Sequence, residues 1–526
     1  MSRPEVVVIG AGVAGLCAGI YLQASGYDAH IYERHTRPGG LCASWRRGGY
    51  TFDGCVHWML GSGAGSAFHP LWREVMDLDA MSFLDHEEVV QLELPSAKDP
   101  SGSPIFHLWS DIDRLERELL SSAPEDAAWI RAFTAAARRV QRYDLPPLAH
   151  TAPELQTLGQ KMGLATMLPF VWIAWRWGRI TNLSAAKSVR SPWLREVLEQ
   201  VFDGQEQSLL VLLMQLAWYD QRAAGYPAGG SASIVGALVA RFEALGGRLH
   251  LGEGVARVLV EEGRAVGVAL DRDAEHRASA VISAADGHWT LYEALGGRYL
   301  HKEHRACYEQ GERTTFPSLV YVSLGLRRDL ASLPTLLRFP LPEPFTLPCG
   351  TEVARLALHN FACDPTMAPP GCTMVNLMID CREDTFWAAL RERDRAAYEV
   401  AKEQIARLVI DALEARFGDF AAHVEVVDVA TPATFLRYTN NWRGSYEGWL
   451  PQKLISGNLP AEVPGLTRFR MIGQWTTPGG GLPMAIWTAR NTVQVLCHRD
   501  GMAFLADQPA AVRAPCGRRE VAETPR

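Results

Sequence analysis

Apolar residues open the chain almost at once. Val6-Val7-Val8-Ile9 is an unbroken, β-branched run that predicts a buried strand over residues 5–9. Gly10-Ala11-Gly12-Val13-Ala14-Gly15 interrupts it, a helical pattern follows over 16–25, and a second strand is predicted over 28–33. Strand, glycine turn, helix and strand form a complete βαβ half. A second α/β stretch lies far downstream, where Ser231 is predicted to N-cap a helix. In that helix Ile234, Leu238, Phe242 and Leu245 recur at helical spacing, and Gly246-Gly247 ends it. Short strands are predicted after it at 248–251, 256–261, 265–270 and 278–283. A third piece is a strand at 469–473 that runs into Pro478-Gly479-Gly480-Gly481 and a helix from about 482 to 496. The pieces 1–75, 226–289 and 465–500 are expected to build one discontinuous nucleotide-binding domain.

The two insertions, 76–225 and 290–464, are assigned to a substrate domain. The first is expected to be mostly helical. The second is mixed, with strands at 319–324, 373–379 and 424–429 and a helix over 391–417. From 501 to 526 the composition turns to Ala, Pro, Arg and Glu without periodicity and reads as a flexible tail. No internal repeat is visible. Residues 162–175 carry no charge and lead directly into Arg176 and Trp177, too short a run to span a bilayer, which needs about 20 residues. With Trp172, Trp175 and Trp177 around one arginine, this end suits a peripheral helix dipping into one leaflet or a greasy channel mouth, with 209–218 lining the same passage. Two buried helices fit the pattern equally. In each case the insertion is apolar enough to enclose a lipophilic substrate.

Composition narrows the class. At 526 residues and 58.1 kDa more than one packed unit is expected, and 48% hydrophobic with 21% charged residues excludes a disordered, collagenous or coiled-coil chain. A net charge of -7 carries no electrostatic footprint for nucleic acid. The ten cysteines form no C-x-x-C pair and no zinc spacing with histidine, so no metal site is expected, and reduced thiols with a cytoplasmic location are the reading. The chain starts on a strand with neither the basic start nor the cleavage site of a signal peptide.

The glycine turn carries chemistry because of its context. Gly10 permits the tight turn, Gly12 lets the backbone approach a pyrophosphate, and Gly15 allows close helix-strand packing, while the helix N-terminus supplies N–H donors. Glu33, at the end of the next strand, is placed to accept from the adenosine ribose hydroxyls. Both FAD and NAD use such a turn. FAD is favoured by the second glycine turn at Arg37-Pro38-Gly39-Gly40-Leu41-Cys42 and by the closing Pro-Gly-Gly-Gly, a further helix N-terminus suited to the charge that reduction places near flavin N1 and O2. Gly252-Glu253-Gly254 is not a second fingerprint, since it lacks the third glycine and precedes a strand. No separate nicotinamide domain is visible.

These residues together resemble the phytoene desaturase-like family of FAD-dependent oxidoreductases, within the wider amine oxidase group. The matching stretches are 6–15 with Glu33-Arg34, Pro38-Gly39-Gly40 followed by Tyr50-Thr51-Phe52-Asp53, Tyr226-Pro227-Ala228-Gly229-Gly230, 255–270 with Val281-Ile282-Ser283-Ala284, and Pro478-Gly479-Gly480-Gly481-Leu482-Pro483. The resemblance implies an α/β fold of the two-dinucleotide-binding, glutathione reductase type, with a Rossmann FAD domain and an inserted α+β substrate domain. It implies non-covalent FAD contacted by Gly10, Gly12, Ala14, Gly15, Glu33, Arg34, Gly40, Leu41, Val255, Gly473, Gly481, Leu482, Pro483 and Met484. It also implies desaturation, saturation or isomerisation of a lipophilic, carotenoid-like polyene by hydride exchange with flavin N5. With no separate nicotinamide domain, the flavin is expected to pass electrons between the substrate and an external partner such as oxygen or a quinone, or to cycle without net redox change.

The resemblance names no acid or base. His57 and Tyr226 are the catalytic candidates, His57 because it follows a cofactor-side motif in Asp53-Gly54-Cys55-Val56-His57-Trp58. Asp53 is expected to cap a turn, and Tyr226, Tyr438 and Trp442 to wall a pocket. Two rivals stand beside this reading. An oxidase of amines or other small polar molecules on the same fold predicts a compact pocket with a charged anchor. A prenyl-protein-binding module of the Rab GDP-dissociation inhibitor kind predicts no flavin chemistry.

Overall fold

Val6, Val7 and Val8 are completely buried, and a strand with no polar face belongs inside a parallel sheet covered on both sides. In the computed structural model, which describes residues 3–143, 151–163, 167–202, 204–451 and 457–506, that is where it lies. Glu5–Ile9 is central, with Asp28–Glu33 and then Arg248–Leu251 on one side and Ala280–Ser283 and then Phe469–Met471 on the other, every pair parallel. The five strands come from three separated stretches of chain. Alternation sorts their side chains. Val6, Val8, Ala29, Ile31, Ala280 and Ile282 face the helices Val13–Ala24, Gly230–Ala244 and Gly481–Asp500. Val7, Ile9, Tyr32 and Val281 face a small antiparallel sheet of Val255–Glu261, Arg264–Leu270 and Glu275–Arg277.

A seven-stranded mixed sheet carries the rest, in the order Val424–Ala430, Ser318–Leu326, Thr373–Cys381, Glu352–Asn360, Leu336–Thr346, Glu88–Glu93, Ile105–Trp109. Helix Arg395–Phe417 packs its Tyr398, Ile405, Val409 and Leu413 into the core of this sheet. The first insertion is mostly helical, as expected, and also contributes two strands at one end of this sheet, Ile105–Trp109 at its edge. The strand Leu336–Thr346 was not among those expected, and it carries Pro340, Pro342 and Pro344, which cannot donate to a ladder. The pairing accommodates them with an irregularity between Pro340 and Phe345. The remaining helices of the first insertion enclose their own core of Leu115, Ile130, Phe133, Trp193 and Leu213.

Three further expectations change. The helix over 391–417 is two helices, Asp384–Arg393 and Arg395–Phe417, since Asp394 is extended and its carboxylate accepts from Ala397 N–H at 2.9 Å, capping the second. Ser231 is not an N-cap, because Gly229 holds that position at φ 84° and the carboxylate that serves the helix start comes from Asp53. The run 209–218 lies in the buried helix Leu209–Asp220, whereas the helix Leu168–Trp177 buries only Ile173 and Trp177. Residues 164–166 of the predicted apolar run lie outside the described residues. Of the expected tail, Met502, Phe504 and Ala506 pack back on the first core cluster, and 507–526 lie outside the described residues.

A buried ion pair ties the nucleotide-side helices together. Arg490, fully buried in the closing helix, donates from Nε to Glu74 Oε2 at 2.7 Å, and Tyr21 on the first helix donates to the same oxygen at 2.8 Å. Glu74→Ala removes the carboxylate both donors face, so denaturant unfolding is expected to show a loss of about 3 kcal/mol or more; an unchanged midpoint contradicts this role.

Candidate active site

The glycine turn is shaped by what a side chain would strike. Gly10 takes φ 95°, a left-handed value that favours glycine. A Cβ at Gly15 would overlap the carbonyl oxygen of Gly10, so only glycine lets the helix start so close to the strand. At Gly12 a Cβ would meet nothing within 4 Å, which leaves an open cradle in front of the helix N-terminus. The second turn closes over it, with Gly39 N–H donating to Ala11 O at 2.8 Å and the Cβ direction of Gly40 passing 3.2 Å from Gly12 Cα. Glu33 accepts from Ala11 N–H at 2.8 Å and from His35 N–H at 2.9 Å. Burial pushes its pKa up, against the pull of those two backbone donors.

The other predicted cofactor residues gather around this cradle. Gly473 faces Ala14, a Cβ there lying 3.5 Å from the Ala14 Cβ. Arg34 reaches Gly254, next to Val255. Gly481, Leu482, Pro483 and Met484 form the first turn of the closing helix and are all partly exposed, as is Leu41. An open cradle at Gly12, a carboxylate at the strand end and two further glycine turns fit a dinucleotide. A long, bent one such as FAD can span the distance from Glu33 to the closing helix.

Beyond the cradle lies Asp53, completely buried. Its carboxylate accepts from the N–H groups of Cys55 (2.9 Å), Val56 (3.0 Å) and Ser231 (2.5 Å) and from Ser231 Oγ (2.7 Å). Burial raises its pKa, and these four hydrogen bonds act to lower it. Its main-chain oxygen accepts from Tyr321 Oη and Asn376 Nδ2, both at 2.8 Å. Asp53 therefore does cap a turn, and it also joins the cofactor side to the seven-stranded sheet. Tyr321 and Asn376 sit mid-strand in an apolar pattern, and nothing in the sequence singled them out.

His57 stacks on His359, ring centroids 3.8 Å apart, with Phe361 6.0 Å away. Burial lowers His57 to about 4 and drives His359 well below the ordinary value, so both imidazoles are neutral at physiological pH. Tyr226 is buried and donates to Asp364 Oδ2 at 3.0 Å, the carboxylate that also accepts from Gly229 N–H. Trp58, next in sequence to His57, lies 6.1 Å from Trp218 and 5.9 Å from Tyr219. Tyr438 and Trp442 are not part of this group. Tyr438 is 40% exposed against His35, and Trp442 belongs to an aromatic cluster with His288, Tyr308, Trp449 and Trp475. His359 and Asp364 were missed because their spacing from His57 and Tyr226 is set by strand pairing and not by sequence distance.

The fold and cradle define a two-dinucleotide-binding oxidoreductase, and comparison with known proteins agrees. Residues 8–75 match the NAD(P)-binding Rossmann-like domain family. An oxidoreductase from Methanosarcina mazei superposes with a TM-score of 0.58 at 18% identity, covering 93% of this chain and all of that one. A putrescine oxidase superposes at 0.55 with 14% identity over 94% and 99% of the two chains. A lycopene-forming phytoene desaturase from a Paracoccus species is 27% identical over 509 residues, 93% of this chain and 96% of that protein. Prolycopene isomerase 1 of an Oncidium hybrid is 24% identical over 91% and 81% of the two chains. The chain is an FAD-dependent oxidoreductase that is similar along nearly its whole length to phytoene desaturases and prolycopene isomerases.

The glycines separate binding from folding. Gly12→Val puts its side chain into open space and is expected to leave the thermal midpoint of the FAD-free protein unchanged while lowering FAD affinity at least tenfold, roughly 1.4 kcal/mol, in a visible-absorption titration. Gly15→Val is expected to lower the midpoint itself. Full FAD affinity in the Gly12 variant contradicts the cradle.

Proposed function

We propose that this enzyme exchanges hydride between FAD and a long isoprenoid polyene, desaturating, saturating or isomerising it. Similarity along nearly the whole chain to desaturases and isomerases alike, reaching through both insertions, carries the reading. Stretches 1–75, 226–289 and 465–500 hold the cofactor, and 76–225 with 290–464 hold the substrate. Bound FAD supplies the two-electron acceptor. Gly10, Gly12, Ala14 and Gly15 take its pyrophosphate at the helix N-terminus, and Glu33 takes the ribose, with Arg34 and Val255 beside it. Gly40, Leu41, Gly473 and the turn Gly481–Met484 meet the rest. His57 and His359 stand as neutral imidazoles against the substrate, able to pass a proton without placing charge in an apolar passage. Tyr226, its hydroxyl committed to Asp364, shapes the wall. In the desaturating direction the electrons would pass on to an external acceptor such as oxygen or a quinone.

The amine-oxidase alternative is less well supported. Asp53 and Asp364, the carboxylates beside this wall, already serve backbone N–H and hydroxyl donors and do not stand free as an ammonium anchor. The test is the anaerobic visible spectrum of the FAD-reconstituted protein before and after polyenes, unsaturated fatty acids and amines. Bleaching of the oxidised flavin band by a polyene is expected. Bleaching by amines alone overturns the substrate class, and a protein that takes up no FAD revives the prenyl-binding module.

Membrane contact is proposed through the helix Leu168–Trp177. No helix among the described residues is long and apolar enough to cross a membrane. This one nonetheless exposes Leu168 (65%), Val171, Trp172 and Trp175, with Arg176 over Trp172 and Arg179 over Trp175. An apolar, aromatic face rimmed by arginines suits the headgroup region. The double variant Trp172→Ser, Trp175→Ser is expected to lose co-flotation with phosphatidylglycerol vesicles while keeping its thermal midpoint; retained flotation contradicts the contact.

A further inference from the structure

The N-terminus of the closing helix has a carboxyl pressed against it that no interaction neutralises. Glu447 lies in the loop Ser445-Tyr446-Glu447-Gly448-Trp449, held by Gly448 N–H donating to Ser445 Oγ at 3.1 Å and by Gly479 N–H donating to Trp449 O at 2.9 Å. A Cβ at Gly481 would sit 3.1 Å from Glu447 Oε1, and one at Gly480 would sit 2.5 Å from Glu447 O and 3.0 Å from its Cγ. Gly480 and Gly481, at φ 45° and 75°, thus leave the room that this side chain fills. Among the described residues Glu447 makes no hydrogen bond and no ion pair. Of the titratable groups, Cys55 interacts with it, and Cys55 in turn meets the Cys42 thiol and feels the Asp53 carboxylate. Cys42 closes the second glycine turn, and Asp53 and Cys55 follow it.

We propose that Glu447 is the proton-bearing partner of the flavin, its carboxyl gaining a proton as the cofactor is reduced and releasing it on reoxidation. This rests on the flavoprotein reading above, in which the turn at Gly481 meets the flavin ring. The hydrogen balance of a desaturation requires such a group. Two hydrogens leave adjacent carbons as the double bond forms, one as hydride with the electron pair, to the cofactor, and the other as a proton, to the Glu447 carboxylate. The negative charge Glu447 loses equals the one the reduced cofactor gains, so the half-buried site holds one negative charge before and after. Two adjacent anions in a half-buried site would oppose reduction. Burial lifts the Glu447 pKa to about 8, so the carboxylate form that accepts the proton is the main form with oxidised cofactor only above that pH.

The test compares wild type, E447Q and E447D, all loaded with FAD, by anaerobic equilibrium titration against a redox dye at several pH values. Above about pH 8 the wild-type midpoint potential is expected to fall about 30 mV per pH unit more steeply than that of E447Q, the increment of one extra proton per two electrons. Below that pH the two slopes converge, because the carboxyl is already protonated in both redox states. E447D is expected to keep the steeper slope. Equal slopes in wild type and E447Q overturn the proposal. Should E447Q not fold, a wild-type slope of only one proton per two electrons overturns it equally. A wild-type protein that takes up no FAD overturns the flavoprotein reading, and this one with it.

The FAD-free protein supplies a second readout. Stability gained by holding the carboxyl protonated is complete below its ordinary pKa of 4.5 and is lost as pH rises through about 8, so the wild-type thermal midpoint should decline over that range relative to E447Q. The same pH dependence in both proteins overturns the assignment of the titrating group to Glu447.

Discussion

The buried carboxylate of Asp53 is the joint on which the site depends. A completely buried charge survives only where donors surround it, and Asp53 has two from its own turn and two from Ser231 at the start of a helix nearly two hundred positions away. Its main-chain oxygen takes two more donors from mid-strand residues of the seven-stranded sheet. One residue therefore sets the relative position of the loop bearing Cys55 and His57, the helix that covers the parallel sheet, and the strands that carry His359 and Asn376. A side chain at Gly230 would collide with this carboxylate, so the glycine there is part of the same joint.

Electrostatic character differs sharply across the site. At the dinucleotide end, Glu33 faces backbone donors and a helix N-terminus, an environment made for anions. Toward the substrate sheet the facing groups are mostly uncharged, with stacked imidazoles, a tyrosine hydroxyl donated to Asp364, and tryptophans, and with Arg338 near His359 and Tyr219. Glu447 lies where the two regimes meet, against the first turn of the closing helix. The aromatic and apolar groups of the second region favour a hydrocarbon, and its carboxylates already have donors, which is the physical basis for preferring a polyene over an amine.

The helices of the first insertion divide the same way. Leu209–Asp220 buries its leucines in the core, whereas Leu168–Trp177 leaves two tryptophans and a leucine in solvent. Their sequences are similarly apolar, with low amphipathic contrast in both, and only the neighbours present on each side decide which is core and which is surface.

Local rules were sufficient for the nucleotide-side elements. An unbroken apolar strand, a glycine turn whose third glycine admits no side chain, and Glu33 at the next strand end are short-range features, so the sequence by itself determined the βαβ unit, its cofactor class and the order of its three pieces. Proline-rich Leu336–Thr346 and the two strands of the first insertion were illegible because their pairing partners lie far away and supply the only reason for them to be strands. The same holds for the site. His57 was visible beside a motif, but its stacking on His359, the commitment of Tyr226 to Asp364, the fourfold satisfaction of Asp53 and the approach of Glu447 to Gly481 join residues from separate strands and loops. Burial and hydrogen-bond partnership are properties of three-dimensional neighbours, and only the tertiary structure decides them.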